Sequence, residues 1–335
     1  MTSNRNVTVY GAYGHTGRFV VAELLERGWT PILSGRDAEK LAALDRRLDV
    51  RPASVDDPSS LDRAVAGAAA VILCAGPFAD TSAAVIEAAL RARIPYLDVT
   101  AEGTVAMETF ERFAPRAQSA GSVVLPAMGF YGGLGDLLAT AAMGDGGPAD
   151  EVRVGFALDG WHPTYGTRAT GRRTAGRRVL FSNNRLEVGS DPQEGTTWDF
   201  PTPIGAQDVI PLSTVDVVTM SHHLRAREIR TFMNLAPLLD LRNPETPSPV
   251  ATDERGRSSQ TFLVEAVVRR GREERRAVAR GRDIYSVSAP ILVEAMERVL
   301  DGRTRTTGVA AAGAIFDAED FLRALTPKHL TYEGP

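Results

Sequence analysis

Residues 7–28 read VTVYGAYGHTGRFVVAELLERG, with three glycines, Gly11, Gly14 and Gly17, set three apart. A short apolar run enters them, and Phe19, Val20, Leu24 and Leu25 follow at helical spacing. A strand that turns straight into a helix aims unpaired N–H groups and the positive end of the helix dipole at one point. A diphosphate is the natural occupant of such a point. Glycine suits it because a Cβ would block the turn or keep the backbone from the phosphate. The spacing is G-x-x-G-x-x-G, a loose form of the dinucleotide fingerprint, and its N-terminal strand–helix setting favours a dinucleotide. Tyr13, His15 and Thr16 share the turn and belong to the same expected site.

The next apolar run ends in PILSGRD, which places Ser34, Gly35 and Arg36 where NAD enzymes usually carry Asp or Glu for the ribose hydroxyls. A guanidinium suits the 2′-phosphate of NADP, so NADP is preferred to NAD. Asp37 is better used as a cap for the helical stretch DAEKLAAL. Val55 and Asp56 end a third run and would border the adenine. Ala75, Gly76 and Pro77 make a small-residue turn after AVILC, with Phe78 beside it. Thr100, in YLDVTAEG, falls near the expected nicotinamide position.

Beyond these, residues 160–185 hold six arginines, Arg168, Arg172, Arg173, Arg177, Arg178 and Arg185, and no acid. The run is either a solvated basic helix or an anion site, with Arg168 and Arg172 as the substrate-binding candidates and Thr164 or Thr167 as its start. His162 and Tyr165, just upstream, have the chemistry to give up a proton after hydride addition, and Tyr131 is a third candidate. Tyr165 stands first among them, because the arginines nearby would favour phenol ionisation. His222 and His223 are adjacent in what reads as a strand, DVVTMSHHL, and would point to opposite faces. No metal site is expected.

The elements that must position these groups alternate regularly. VTVYG, TPILSG, VRPAS, AAVILCAG, IPYLDVT and SVVLPA read as strands separated by helical stretches. This predicts an α/β architecture, with an N-terminal Rossmann domain (a doubly wound parallel sheet) over residues 1–128. After GDGGPAD longer strands follow, including a hairpin around Arg270 and Gly271, and predict an α+β domain on a mixed or antiparallel sheet over 129–302. Its helix SAPILVEAMERVLDG would start at Ser288, with Pro290 in its first turn and Gly302 as its stop. The helices from about 303 to 335 should return to the first domain. The Pro-rich stretch 244–259 reads as a mobile loop.

The chain has 335 residues, 43% hydrophobic and 24% charged, with a net charge of −4, values of an ordinary soluble protein not built to bind nucleic acid or anionic membrane. The single cysteine, Cys74, excludes an internal disulfide framework and reads as a buried hydrophobe. The start, MTSNRN, lacks a signal-peptide pattern and no apolar run reaches membrane-spanning length, so a cytoplasmic setting is expected. Exposed strands in the second domain are compatible with a homodimer.

The combination GAYGHTGRFV, SGRDAEKL, CAGPF, AALRARIPYLDVTAE and MGFYGGLGDLLA, with the C-terminal RDIYSVSAPILVEAMERVLDG, resembles the saccharopine dehydrogenase-like NAD(P)-dependent oxidoreductases. That resemblance implies a Rossmann domain with an inserted α+β domain. It also implies hydride chemistry on imines, as in saccharopine-forming enzymes, or on enoyl groups in lipid and polyketide pathways. Related loops often read G-F-D-P-G, whereas this chain has Tyr131 and Gly132, which argues against an amino-acid substrate. The expectation is an NADPH-dependent reductase of a C=N bond in a small or carrier-bound metabolite, such as one of secondary metabolism. An enoyl or carbonyl reductase and a non-catalytic NADP sensor are the alternatives.

Overall fold

A computed structural model describes residues 4–174, 178–189 and 194–335. Through residue 125 the chain alternates strand and helix: β1 (Asn6–Tyr10), α1 (His15–Glu26), β2 (Thr30–Gly35), α2 (Ala38–Ala42), β3 (Asp49–Pro52), α3 (Pro58–Val65), β4 (Ala70–Leu73), α4 (Phe78–Ala92), β5 (Tyr96–Asp98), α5 (Gly103–Ser119) and β6 (Val123–Leu125). The central strands are short, apolar and buried on both faces, as parallel strands covered by helices must be, and only the edge strand β3 is polar and partly exposed.

Helix α6 (Gly133–Met143) leads into β7 (Ala149–Leu158), α7 (Tyr165–Thr174), β8 (Arg178–Ser182), β9 (Arg185–Gly189), β10 (Thr196–Phe200), β11 (Gly205–Pro211), α8 (Asp216–Ser221), β12 (Ala226–Asn234) and α9 (Leu235–Arg242). The chain closes with β13 (Thr261–Arg270), β14 (Glu273–Arg282), α10 (Ser288–Leu300), β15 (Gly308–Val309), α11 (Ala312–Ile315), α12 (Ala318–Ala324) and β16 (Leu330–Glu333).

Two sheets result. The first is parallel throughout, in the order β15-β6-β5-β4-β1-β2-β3, with Val9 of β1 opposite Leu33 of β2 and Ile72 of β4. The second runs β10-β11-β12-β7-β13-β14-β16 and is mixed. Its β7 pairs in parallel with β12 and antiparallel with β13, and the β8–β9 hairpin branches from β12. Arg270 pairs with Glu273 across the expected hairpin, and Gly271 takes a φ of 58° in its turn.

Helix α6 is buried on nearly every side between the sheets. The two sheets share one apolar core, which runs from Val9 and Leu33 through Phe130 and Leu137 to Phe156 and Val264. The outer face of the second sheet is filled by its own edge. A Cβ on Gly155 of β7 would lie 2.8 Å from the Trp198 ring and 2.9 Å from Phe200, so the β10–β11 edge curls back over a glycine.

Three details differ from the sequence-based expectation. DVVTMSHHL forms no strand; its first six residues are helix α8. Asp216 to Met220 are all buried, so no alternation or helical stripe marks the segment. Ser288 is the first residue of α10 rather than its cap: its Oγ donates to the Ile284 carbonyl (3.0 Å) and accepts the Phe130 N–H (3.0 Å). The C-terminal stretch serves both sheets, with β15 beside β6 and β16 beside β14. The 244–259 stretch contains no helix or strand, and Asp253 knits it by accepting N–H bonds from Arg255 (3.0 Å) and Arg257 (2.9 Å).

Helix α10 packs on α1 through a shared ionic cluster. Arg27 reaches Glu23 (2.7 Å), Glu294 (2.8 Å) and Glu297 (2.7 Å), and Glu294 also receives Arg298 (2.8 Å). Burial pushes the Glu294 carboxyl up, but the hydrogen bonds from Arg27 and Arg298 outweigh it and hold it below its ordinary value. Its contribution is therefore complete above the ordinary glutamate range and is lost as pH falls through the depressed value. Arg27→Ala would remove the partner that three carboxylates share and should cost about 3 kcal/mol in urea unfolding at pH 7. The cost should shrink in acid; a loss that stays below about 1 kcal/mol at pH 7 would show that the cluster does not hold the interface.

Candidate functional site

The three glycines of the first turn have separate duties. Gly11 has a φ of 90°, and a Cβ there would lie 2.7 Å from the Ala75 N, so the β1 and β4 exits touch backbone to backbone. A Cβ on Gly17 would lie 2.2 Å from the Gly11 carbonyl oxygen, so helix α1 can sit on the turn only as glycine. Gly14 has an ordinary φ of −68°, and a Cβ there would meet only the Gly11 oxygen at 3.1 Å and the Cys74 oxygen at 3.9 Å. The first and third glycines thus build the turn, and the middle one leaves room above it. No side chain caps α1 and no acid stands in its first turn, so its N-terminal donors face an open anion site. These are the features a pyrophosphate needs, and the residues fit a dinucleotide.

At the β2 exit Ser34 is buried and its hydroxyl donates to the Arg51 carbonyl (2.8 Å). Gly35 supports Tyr13, for a Cβ there would lie 2.9 Å from the phenol ring. Lys40 stands over the other side of the site, its Nζ 5.8 Å from the Tyr13 ring centroid. Arg36 is exposed and, among the described residues, pairs with no carboxylate. Asp37 caps α2, accepting the Lys40 N–H at 3.0 Å and pairing with its Nζ at 3.1 Å. Val55 is half-buried and Asp56 exposed beyond β3. Ala75 and Pro77 are half-buried, Gly76 is exposed, and Phe78 opens α4 as a buried side chain.

Two buried acids fix the β5 exit. Asp98 accepts N–H bonds from Thr100 (2.8 Å) and Ala127 (2.8 Å) and the Tyr96 hydroxyl (2.7 Å). Burial pushes its carboxyl up to about 6 despite these donors. The Thr100 hydroxyl accepts the Glu102 N–H at 3.1 Å, and the Glu102 carboxylate in turn accepts N–H bonds from Phe78 (2.8 Å) and Ala79 (3.3 Å) at the start of α4. Thr100 therefore acts inside the protein frame.

The second half of the chain brings an aromatic group against the glycine turn. The His15 ring meets Tyr285 edge to face at 5.1 Å. The Tyr285 hydroxyl accepts the Trp161 Nε1–H at 2.9 Å, and the Tyr131 ring lies 6.0 Å from Trp161. Tyr131 Oη and His15 Nε2 are buried with no hydrogen-bond partner. Burial holds the Tyr131 phenol well above its ordinary value and His15 below its own, so both are neutral near pH 7. Tyr131 reaches this position on a tight loop. Gly132 has a φ of 86°, and a Cβ there would lie 2.4 Å from the Ala127 carbonyl oxygen. Proline fixes φ near about −65°, so the G-F-D-P-G form could not follow this path.

The other candidates lie elsewhere. Tyr165 is 82% exposed at the first residue of α7, and His162 is exposed beside it. Thr164 starts α7, accepting the Thr167 N–H at 3.1 Å. Arg168 donates to the carbonyls of Asn243 (3.3 Å) and Thr246 (2.7 Å), and Arg173 pairs with Asp80 at 2.7 Å. Arg172 and Arg185 face solvent, Arg178 opens β8, and Arg177 lies outside the described residues. His222 stacks on Phe110 at 3.7 Å while His223 Nε2 meets Asp136 at 2.6 Å, so the pair diverges from a helix end rather than a strand. Among the described residues, no three His, Cys, Asp or Glu side chains are grouped to hold a metal, and no helix is long and apolar enough to cross a membrane.

Sequence reasoning missed Lys40, Glu102, Trp161 and Tyr285. Lys40 could have been found as the i+4 neighbour of Arg36 on a helix that begins at the phosphate end. Tyr285 stood inside the quoted RDIYSVSAP stretch but carried no spacing signal.

A family model described as NAD(P)H-binding matches residues 11–119. Together with the parallel sheet and its glycine turn, this marks residues 11–119 as an NAD(P)H-binding domain. The chain is similar to a probable mitochondrial saccharopine dehydrogenase-like oxidoreductase of Arabidopsis thaliana, 29% identical over 143 residues, 37% of this chain. It spans only 32% of the length of that curated relative. Its fold matches that of an apo saccharopine dehydrogenase (L-Glu forming) from Saccharomyces cerevisiae with a TM-score of 0.68 and 13% identity, over 99% of this chain and 100% of that one. The chain thus resembles saccharopine dehydrogenase-like proteins in part of its sequence and shares the fold of a saccharopine dehydrogenase over its length.

One further buried acid lies behind Tyr131. Both oxygens of Asp216 are buried without a hydrogen-bond partner, and a Cβ on Gly135 would lie 2.1 Å from Oδ1. Burial pushes this carboxyl up to about 7, and the nearby Thr214 hydroxyl and Gly132 amide offset only part of that. An acid whose folded value is raised favours the fold while protonated and opposes it as pH rises through that value. Stability should therefore fall by about 1.4 kcal/mol from this group between pH 6 and 8. Asp216→Asn should remove that part of the pH dependence in urea unfolding; an unaltered profile would place the titration elsewhere.

Proposed function

We propose that the chain is an NADPH-dependent reductase that acts on a C=N bond of a small or carrier-bound metabolite, with Tyr131 as proton donor. The observation that carries this reading is the Tyr131 Oη, buried without a hydrogen-bond partner, its ring packed near Trp161. When bound, a reduced nicotinamide supplies a hydride. Gly11, Gly14, Gly17 and the first turn of α1 would hold the pyrophosphate, and Tyr13, Arg36 and Lys40 the adenosine end. With Asp37 spent on capping α2, the β2 exit offers cations and no free carboxylate, which favours a 2′-phosphate over a bare ribose.

The chain's own task in the reaction is to give one proton. A phenol held neutral by burial donates from Oη to the nitrogen that gains electron density, and the phenolate left behind recovers its proton before the next turnover. Neutral His15 Nε2 completes a polar edge on an otherwise aromatic wall. Tyr131 takes precedence over Tyr165 and His162, whose exposed positions give them no sheltered contact with a reacting atom. The same wall carries no uncommitted arginine among the described residues, which favours a substrate that is neutral at its reacting end. Neither the Saccharomyces enzyme's glutamate-forming reaction nor its substrate follows from a likeness of fold.

Two experiments test the reading. Arg36→Ala should weaken NADPH binding by roughly 1.5–3 kcal/mol in calorimetry while leaving NADH nearly unchanged, the range for a charge-assisted hydrogen bond. Equal losses would show that Arg36 does not read the 2′-phosphate. NADPH oxidation should be followed against panels of neutral imines, enones and ketones, and imines should be consumed. With the best imine, Tyr131→Phe should lower turnover by roughly 10²- to 10⁴-fold at unchanged NADPH affinity. Consumption of enones or ketones alone would remove the imine assignment, and full activity in the variant would remove Tyr131.

A further inference from the structure

The β2 exit gathers charges of both signs within a few residues. Arg36 follows Gly35 directly and is exposed. Burial pushes the Tyr10 phenol up, the Arg36 charge pulls it down, and Tyr13 and Asp56 add to the rise. Arg36, Tyr13 and Asp56 therefore all lie within electrostatic reach of that one phenol. Tyr10 itself is fixed, for its hydroxyl donates to the Ala53 carbonyl at 3.1 Å. Tyr13 is fixed by close approach to the strand, since a Cβ on Gly35 would lie 2.9 Å from its ring. Lys40 joins the group from α2, with its Nζ 5.8 Å from the Tyr13 ring centroid. Two cations, Arg36 and Lys40, and two carboxylates, Asp37 and Asp56, thus share this end of the sheet.

The two oxygens of Asp37 have separate duties. Oδ1 accepts the Lys40 N–H at 3.0 Å and so caps α2. Oδ2 pairs with the Lys40 Nζ at 3.1 Å. The N–H bond first, and the ammonium second, hold the Asp37 carboxyl below its ordinary value, so it is charged at neutral pH. The capping duty needs only an oxygen, and Asn or Ser serves it about as well. The pairing duty needs the charge. It is also the easier of the two to give up, because the Lys40 and Asp37 side chains are 68% and 37% exposed and an exposed ion pair contributes little.

A phosphate monoester carries a charge of about −1.5 to −2 near pH 7 and offers three acceptor oxygens, more than a single carboxylate can. It can take Lys40 from Asp37, whereas the uncharged 2′-hydroxyl of NADH cannot. We propose that Asp37 is an internal competitor for the 2′-phosphate of NADPH. It holds Lys40 in the free chain and in the presence of NADH, and it gives Lys40 up to NADPH. The cost of that exchange falls on NADPH alone, so Asp37 limits the preference that Arg36 and Lys40 together provide. The cap on α2 is untouched by the exchange, because Oδ1 takes no part in it. The proposal rests on the nucleotide reading above and adds Asp37 to that site as a specificity-determining residue.

The test is a set of dissociation constants for NADPH and NADH, measured by calorimetry at one ionic strength. Asp37→Asn keeps a capping oxygen and removes the charge. It should tighten NADPH binding roughly fivefold, the upper range for an exposed ion pair, and leave NADH within about twofold. Asp37→Ser, a second uncharged cap, should do the same. Lys40→Gln should weaken NADPH binding roughly tenfold, the low end for a charge-assisted hydrogen bond, and again leave NADH nearly unchanged. In the Lys40→Gln background, Asp37→Asn should lose most of its effect on NADPH, since no ammonium is left to release. No gain from either Asp37 variant overturns the competitor and leaves the nucleotide reading in place. So does unchanged NADPH binding in Lys40→Gln. A gain that persists undiminished without Lys40 overturns it as well, by showing that Asp37 acts through repulsion alone. Failure of the wild-type chain to bind NADPH overturns both the competitor and the nucleotide reading.

Discussion

The buried carboxylate of Asp98 fixes both loops that frame the expected reaction space. Its Oδ1 joins the N–H groups of Thr100 and Ala127, its Oδ2 takes the Tyr96 hydroxyl, and its backbone carbonyl accepts the Met128 N–H at 2.7 Å. From the β5 side the chain of bonds continues through Thr100 to Glu102, and from Glu102 to the start of α4 and to α7. From the β6 side it sets Ala127 at a φ of 58° and so begins the tight loop that delivers Tyr131. Taking a carboxylate out of water is expensive unless donors replace the water. Three donors do so here, and the carboxyl is still pushed up to about 6, so the fold spends stability to hold this junction.

With that junction fixed, the two sheets have little freedom to hinge. They share one apolar core, α6 is enclosed between them, and α10 belongs to the second half by sequence but packs on α1 through the Arg27 cluster. The tail then pairs with both sheets in turn.

The sequence made the first sheet legible because each of its strands is a short apolar run closed by glycine, proline or a polar turn. It made the nucleotide turn legible because backbone geometry alone demands Gly11 and Gly17. Asp37 could be assigned to its cap because a short acid before AEKLA has a local use. Legibility failed where position depends on contacts distant in the chain. Tyr165 looked chemical because of its neighbours in sequence, yet Arg168 bonds to carbonyls, Arg173 pairs with Asp80, and Tyr165 faces solvent. Tyr285 and Trp161 meet across more than a hundred residues, and no periodicity announces such a meeting. Segment 216–221 failed for another reason, since a run buried on all sides has no face to reveal its period.

The distribution of charge follows from the same geometry. Arg168, Arg172 and Arg173 lie on α7, where Arg168 bonds to backbone carbonyls and Arg173 to the surface carboxylate of Asp80. The wall inside is made by His15, Tyr131, Trp161 and Tyr285, all held neutral or without formal charge. Of the acids nearby, Asp98, Glu102 and Asp283 are committed to backbone amides, whereas Asp216 behind Tyr131 has no hydrogen-bond partner and its carboxyl is pushed up by burial. The wall offers hydrogen bonds and aromatic surface. The Tyr131 loop points the same way. Its left-handed Gly132 follows a path that an Asp-Pro pair could not, and the loop ends in a buried phenol.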